Sequence, residues 1–311
     1  MKKLILVLFT ACLAVVLVAC GSDQKADGKE DDKEGTRSYK MVNGKTVEIP
    51  KNPQRIVVTE YMGSLSALGI KPLGAASYVL KNPYLDAYKK GVEDIGEPAS
   101  AEKVAELRPD LIIVAKEDEF EKMQKIAPTI LIPYKAFDTI QDELTAIADI
   151  VGKQQEAKDW IADFEVTAEK ARAKIKDAVG PDATFGLYEG NDKNLYVFAD
   201  NWGRGGQVLY NALQLKAPEK IQKEVFTGEG YKQISIEVLP EFAADYMFIG
   251  QYIPEGSKNE EAIMQSSIWK DLPAYKAKRI FVMDFEQTFY YDPIAIKGQI
   301  DLFTDKILSQ Q

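Results

Sequence analysis

The chain of 311 residues contains no histidine. That removes the usual general base, the Ser-His-Asp arrangement and imidazole metal sites. It has two cysteines, and both stand among the first twenty residues, at Cys12 and Cys20. The body of the protein therefore has no disulfide, no thiolate nucleophile and no zinc cluster. Arginine is scarce: Arg37, Arg55, Arg108, Arg172, Arg204 and Arg279 are all there are. The net charge is −9 and no basic run offsets it, which argues against nucleic acid.

What is present begins with a leader. Lys2 and Lys3 precede an apolar run from Leu4 to Ala19, with the charge and length of a secretory signal. The run is short for a membrane-spanning helix. It ends in L-V-A-C, Leu17 to Cys20, which resembles a bacterial lipobox. That resemblance implies cleavage before Cys20 and lipidation of its thiol. Gly21 to Ser38 has no large apolar residue and reads as a flexible tether. Residues 1–19 are thus expected to be a signal peptide and 20–38 a lipidated leash. The protein is expected on the extracellular face of the cell membrane.

Hydrophobic residues make up 46% of the chain, enough for two cores, and its length suits two domains. A hairpin from Tyr39 to Pro50 turns at Asn43-Gly44. Strands are expected at Arg55 to Thr59, Asp110 to Ala115 and Thr129 to Tyr134, with helices between them. That alternation predicts an α/β lobe over 39–152 with a parallel sheet. Tyr61 and Tyr134 follow or end strands and are pocket candidates. Lys153 to Val179 has neither proline nor glycine. Ala157, Trp160, Ile161, Phe164, Ala168, Ala171 and Ile175 fall on one helical stripe there. This is a connecting helix of about 40 Å between two series of strands. A second α/β lobe follows over 180–311, with strands Ala183 to Tyr188, Leu195 to Ala199, Asp245 to Gly250 and Arg279 to Asp284. The fold class is therefore α/β, two Rossmann-like lobes joined by one long rigid helix.

Two patterns carry chemistry. The first is Asn194 to Leu213, read as strand, glycine-bearing turn and helix. Such a turn lies at the carboxyl edge of a sheet, where ligands of open α/β folds bind. It carries Trp202 and Arg204, an aromatic plate and a fixed cation, among Gly203, Gly205 and Gly206. A helix start with an inward Trp and a surface Arg would account for the same residues. It is no phosphate loop, since G-R-G-G lacks the Lys-Ser/Thr and the spacing. The second pattern is internal: Ser100, Glu102 and Asp110 recur at the same spacing as Ser235, Glu237 and Asp245. Each set reads as a cap, an acid in a first turn and a strand start. Matching helices of two lobes would each present a carboxylate, which suits a two-fold partner.

The segments I-P-K-N-P-Q-R-I-V-V, D-I-G-E-P-A-S-A-E-K-V-A-E-L-R-P-D-L-I-I-V, N-W-G-R-G-G-Q-V-L-Y-N-A-L and Y-Y-D-P-I-A-I together carry a resemblance. Over essentially the whole mature chain, it resembles the cluster-type periplasmic-binding-protein-fold lipoproteins of Gram-positive ABC importers. Within that group it is similar to the hydroxamate siderophore binders. The resemblance implies two α/β lobes on one helix, a shallow ligand cleft between them, and no catalytic residue or cofactor. It implies that Tyr196, Trp202, Arg204 and Tyr290, with Tyr291 beside it, line the cleft. It implies that Glu102 and Glu237 meet arginines of a permease dimer, which works with its ATPase. The protein itself is expected to be a monomer. Where the group often has Trp before the final D-P, this chain has Tyr290-Tyr291.

The chemistry is compatible. A ferric hydroxamate siderophore of the ferrioxamine or ferrichrome type brings its own hard oxygens, so no direct protein–metal bond is expected. Its complex is neutral at the metal and carries apolar methylene loops, which suits aromatic plates and one arginine. Ferric catecholates or citrate would want several cations, which lysines would have to supply. Haem would need a tyrosine ligand. An extracellular α/β enzyme and an adhesion module are the rivals from other classes. With 48 acids, chance carboxylate pairs are certain, and Asp200 and Asp292 read as turn and cap residues.

Overall fold

Four apolar residues in a row, Leu111–Val114, form a fully buried strand, and they set the pattern of the first lobe. The computed structural model describes residues 35–191, 194–251 and 264–309. Cys20, the leader and most of the expected leash lie outside the described residues. The described chain opens with the hairpin β1 (Thr36–Lys40) and β2 (Thr46–Pro50), turning through Gly44 at φ +81°. Thr36, Arg37 and Ser38, expected in the leash, are therefore part of a strand. Arg37 anchors it, donating to the Asp149 carbonyl at 2.6 Å.

The first sheet has the order β5-β4-β3-β6-β7, all parallel. Its members are β3 (Ile56–Val58), β4 (Gly74–Ala75), β5 (Glu93–Asp94), β6 (Leu111–Val114) and β7 (Thr129–Leu131). β3, β6 and β7 are buried throughout, as a sheet with helices on both faces demands. The helices are α1 (Met62–Ala67), α2 (Ala101–Glu106), α3 (Glu117–Met123) and α4 (Ile140–Val151).

α5 (Gln154–Ala178) is a single helix of 25 residues, about 38 Å long. Ala157 belongs to the core of the first lobe. Phe164, Ala168, Ala171 and Ile175 belong to the core of the second. Trp160 packs against both cores and stacks on Phe164 at 5.2 Å. The C-terminal helix Pro293–Leu308 also bridges: Ile294 packs on the first core, and Ile296, Ile300 and Phe303 lie in the second.

The second sheet has the order β10-β9-β8-β11-β12. β8 (Phe185–Asn191), β11 (Tyr246–Gln251) and β12 (Ile280–Asp284) are parallel. β9 (Asn194–Phe198) is antiparallel to both of its neighbours, β8 and β10 (Tyr231–Ile234). The internal repeat has a structural meaning at its aspartates. Just ahead of β6, Asp110 accepts from the backbone N–H of Gln54 and Arg55, at 2.8 and 2.9 Å, where β3 is about to begin. Just ahead of β11, Asp245 accepts from Thr184 N and Oγ1, at 2.8 and 2.7 Å, where β8 is about to begin. Each aspartate thus fastens the starts of two neighbouring parallel strands. The serines differ: Ser100 caps α2 through Lys103 N at 3.4 Å, whereas Ser235 precedes a 3-10 turn with no side-chain cap bond.

Candidate functional site

Tyrosines and phenylalanines from both lobes face each other across the interlobe groove. Its outer part is a cleft of about 440 Å³ whose walls include Tyr78 and Tyr134 from the first lobe and Phe285, Phe289 and Tyr290 from the second. That volume is in the range of small-molecule sites, roughly 300–1,000 Å³. Lys81, Lys116 and Glu97 stand at its rim, and Lys116 pairs with Glu97 at 3.1 Å. An inner pocket of about 70 Å³ shares Tyr78, Tyr134, Phe289 and Tyr290 with it.

Hydrogen bonds hold the two walls together. Tyr290 Oη donates to the Tyr78 carbonyl at 3.1 Å, and Tyr84 Oη donates to the Gln287 carbonyl at 2.9 Å. Asn82 Nδ2 donates to Asp292 at 2.6 Å. The other oxygen of Asp292 accepts from Ile294 N and Ala295 N, capping the C-terminal helix as expected. Gly63 of α1 lies so close to this carboxylate that a Cβ would stand 1.9 Å from it. The contact between the lobes is therefore tight at this end.

The inner pocket holds acids that pattern reading missed. Glu60 and Glu143 line it together with Asp292. Burial pushes Glu60 up to about 8, Glu143 to about 7 and Asp292 to about 6, and their mutual repulsion adds to the first two. The Tyr134 hydroxyl donates to Glu60 at 2.6 Å and lies 2.9 Å from the Tyr78 hydroxyl. Ser64 donates to Glu143 at 2.7 Å. Burial raises Tyr61, Tyr134 and Tyr291 well above the usual phenol range and Tyr290 to about 12, so all are neutral donors at physiological pH.

Tyr61, Tyr134, Tyr290 and Tyr291 thus come together in one pocket. Tyr134 is the open one, 43% exposed. Tyr61 is 5% exposed and donates its hydroxyl to the Ile132 carbonyl at 2.5 Å, so it forms floor rather than an open plate.

Trp202, Arg204 and Tyr196 form a neighbouring group on the second lobe, and they arrive by an unexpected route. Because β9 is antiparallel, its carboxyl end points away from the carboxyl edge of β8, β11 and β12. The strand-turn-helix placement at that edge is therefore corrected. The chain instead doubles back after Ala199, through Arg204 at φ +75° and Gly205 at φ +91°. It continues as a π-helix, Gln207–Ala212, rather than an α-helix. The glycines permit close approach to the protein's own atoms: a Cβ on Gly203 would stand 2.0 Å from the Phe289 carbonyl, and one on Gly205 2.2 Å from the Phe303 ring.

This path brings Arg204 to the cleft wall. Its Nε donates to Glu189 at 2.7 Å, in an ion pair whose side chains are 18% and 19% exposed. Its Cζ lies 5.0, 5.3 and 5.2 Å from the rings of Phe198, Phe285 and Phe289. Tyr196 and Phe198 share one face of β9, 6.5 Å apart. Trp202 meets Tyr231 edge-on at 5.3 Å. Its Nε1 donates to the Glu229 carbonyl at 2.8 Å, and Lys135 Nζ lies 3.9 Å from its ring centre. Lys135, from the first lobe, was not a candidate; an exposed lysine carries no pattern that would mark it. Among the described residues no group of three or more Asp, Glu, His or Cys is placed to hold a metal ion.

A family model described as periplasmic binding protein matches residues 56–287. The chain belongs to the periplasmic binding protein family. Among its relatives, the iron(3+)-hydroxamate-binding protein YxeB of Bacillus subtilis is 44% identical, over 100% of this chain and 98% of its own. The iron(3+)-hydroxamate-binding protein FhuD of the same organism is 39% identical, over 98% of each. FhuD2 from Staphylococcus aureus with bound ferrioxamine B superposes with a TM-score of 0.74 at 33% identity, covering 83% of this chain and 99% of that one. The two lobes on one long helix are thus the fold of this group of periplasmic binding proteins. In this periplasmic binding protein Glu102 and Glu237 are both exposed, each in the first turn of its helical segment. A hydrogen bond from Ser235 holds Glu237 below the usual carboxylate range.

Proposed function

We propose that the chain is the substrate-binding component of an ABC importer and captures a ferric hydroxamate siderophore of the ferrioxamine or ferrichrome type. The observation that carries this reading is the aromatic cleft of about 440 Å³ between the lobes, in a chain 44% identical to an iron(3+)-hydroxamate-binding protein. A neutral chelate with its own oxygen ligands asks a protein for apolar plates and a few donors. Tyr134 and Tyr290 stand on opposite walls, Trp202, Tyr196 and Arg204 beside them, and Tyr61 and Tyr291 beneath. Ferric iron is cargo here, held by the siderophore, and the protein binds it without catalysis or a resident cofactor.

Glu102 and Glu237 are the proposed contacts to the permease dimer, which its ATPase drives. Lipidation at Cys20 anchors the protein, as a monomer, on the extracellular face of a Gram-positive cell membrane. The test is a fluorescence titration of the soluble chain with ferric trihydroxamates, ferric catecholates and ferric citrate. One-to-one quenching by ferrioxamine or ferrichrome supports the reading. Tight binding of catecholate or citrate complexes alone would overturn the hydroxamate class and keep the importer. Turnover of the siderophore would overturn the binding role.

A further inference from the structure

One face of the Trp202 indole is taken. Lys135 reaches across from the first lobe and sets its Nζ 3.9 Å from the ring centre. The same nitrogen donates to the Glu229 carbonyl at 3.2 Å. The indole N–H donates to that carbonyl as well, at 2.8 Å. One backbone carbonyl thus gathers the indole and the ammonium, and fixes their mutual geometry. Tyr231 meets the ring at an interplanar angle of 86°, a T-shaped contact, not a stacked one. Lys135 also stands next to Tyr134 of the cleft wall and holds a left-handed backbone at φ +59°. Its side chain is held by a ring and a carbonyl, contacts that are weaker than a buried ion pair.

We propose that Lys135 is a gate on the aromatic platform and, through it, a selector of ligand charge. A chelate that stacks on the Trp202 face covered by Lys135 must move the ammonium off the ring. A ferric hydroxamate, neutral at the metal and without an anionic group to offer, returns no new partner to the displaced cation, so the lost contacts count against binding. A polyanionic chelate gives the ammonium a new partner, and the cover becomes a ligand contact. The inference rests on the siderophore reading of the cleft and concerns the selectivity of that same site.

The two ligand classes should therefore respond to loss of the lysine with opposite signs. Lys135→Asn removes the cation while tolerating the left-handed backbone. Lys135→Gly, which accepts the same backbone, is a second neutral variant should the first fold poorly. Lys135→Arg keeps a cation able to cover the ring. In titrations, ferrioxamine should bind the two neutral variants about fivefold more tightly than the parent, the worth of one cation–ring contact. The Arg variant should stay near the parent. Ferric citrate, if it binds the parent at all, should bind the neutral variants more weakly. Unchanged or weaker ferrioxamine binding by both neutral variants would overturn the gate while leaving the siderophore reading intact. If the parent binds no ferric siderophore, the siderophore reading fails and the gate with it.

Discussion

Replacing Arg204 by alanine tests whether this residue serves the fold, the ligand, or both. The substitution removes a charge-assisted hydrogen bond of 2.7 Å and leaves Glu189, 19% exposed, without that partner. A hydrogen bond to a charged group contributes roughly 1.5–3 kcal/mol. Truncating one member of a fully buried pair costs about 3–5 kcal/mol, and partial exposure places this one lower. The rings of Phe198, Phe285 and Phe289, all within 5.3 Å of the guanidinium, add about 0.5–1 kcal/mol each. Since these terms overlap, a loss of about 3–4 kcal/mol is expected, or roughly 5–7 °C in Tm for a protein of this size. Glu189→Gln keeps an acceptor and should cost about 1–2 kcal/mol. The double variant should then lose less than the sum, with a coupling of about 1–2 kcal/mol. Denaturant unfolding of the four proteins measures these values. Ferrioxamine affinity, measured on the same folded samples, should fall at least about tenfold for Arg204→Ala. A stability loss below about 1 kcal/mol would refute the reasoning about the pair, because its geometry would then contribute no more than a surface contact. Unchanged affinity would remove Arg204 from the ligand surface.

Changing Glu102 and Glu237 together to alanine should reduce siderophore uptake by cells at least about tenfold while the affinity in solution stays as it was; a large loss of affinity would move them into the cleft. The acids of the inner pocket give a pH dependence whose sign is fixed. Folding raises Glu60 from 4.5 to about 8 and Glu143 from 4.5 to about 7, so the folded state holds more protons than the unfolded state between those values. Their contribution to stability should therefore diminish as pH rises from about 4.5 to about 8. The double change Glu60→Gln and Glu143→Gln should flatten that decline in thermal melts, and an unaltered profile would show that the groups ionise normally in the fold.

The parts of the molecule legible in the sequence were those written in local periodicity. The stripe from Ala157 to Ile175 announced both the helix and its buried face, because a 3.6-residue repeat without Pro or Gly has one good solution. L-I-I-V at Leu111–Val114 announced a buried parallel strand for a similar reason. The direction of β9 was not legible, since Leu195, Val197 and Ala199 alternate in the same way whichever way the neighbouring strand runs. Glycines 203 and 205 signalled a close approach correctly, but the approached atoms belong to Phe289 and Phe303, some eighty or more residues away. Glu60 and Glu143 were invisible for the same cause: each is one acid among 48, and only the folded chain brings them to Asp292. Lys135 shows the limit most clearly, because its meaning comes wholly from the Trp202 ring that it covers.

α5 has a consequence for how this cleft can change over time. Because one helix enters both cores, its residue count is the angular setting between the lobes. Inserting a single residue between Ala157 and Phe164 would turn one lobe by about 100° against the other and shift it by about 1.5 Å. Tyr134 and Glu60 would then no longer face Tyr290, and Lys135 would no longer reach Trp202. The cleft can be retuned by exchanging the side chains on its walls, but its gauge is locked to a count of residues in a helix that lines neither pocket.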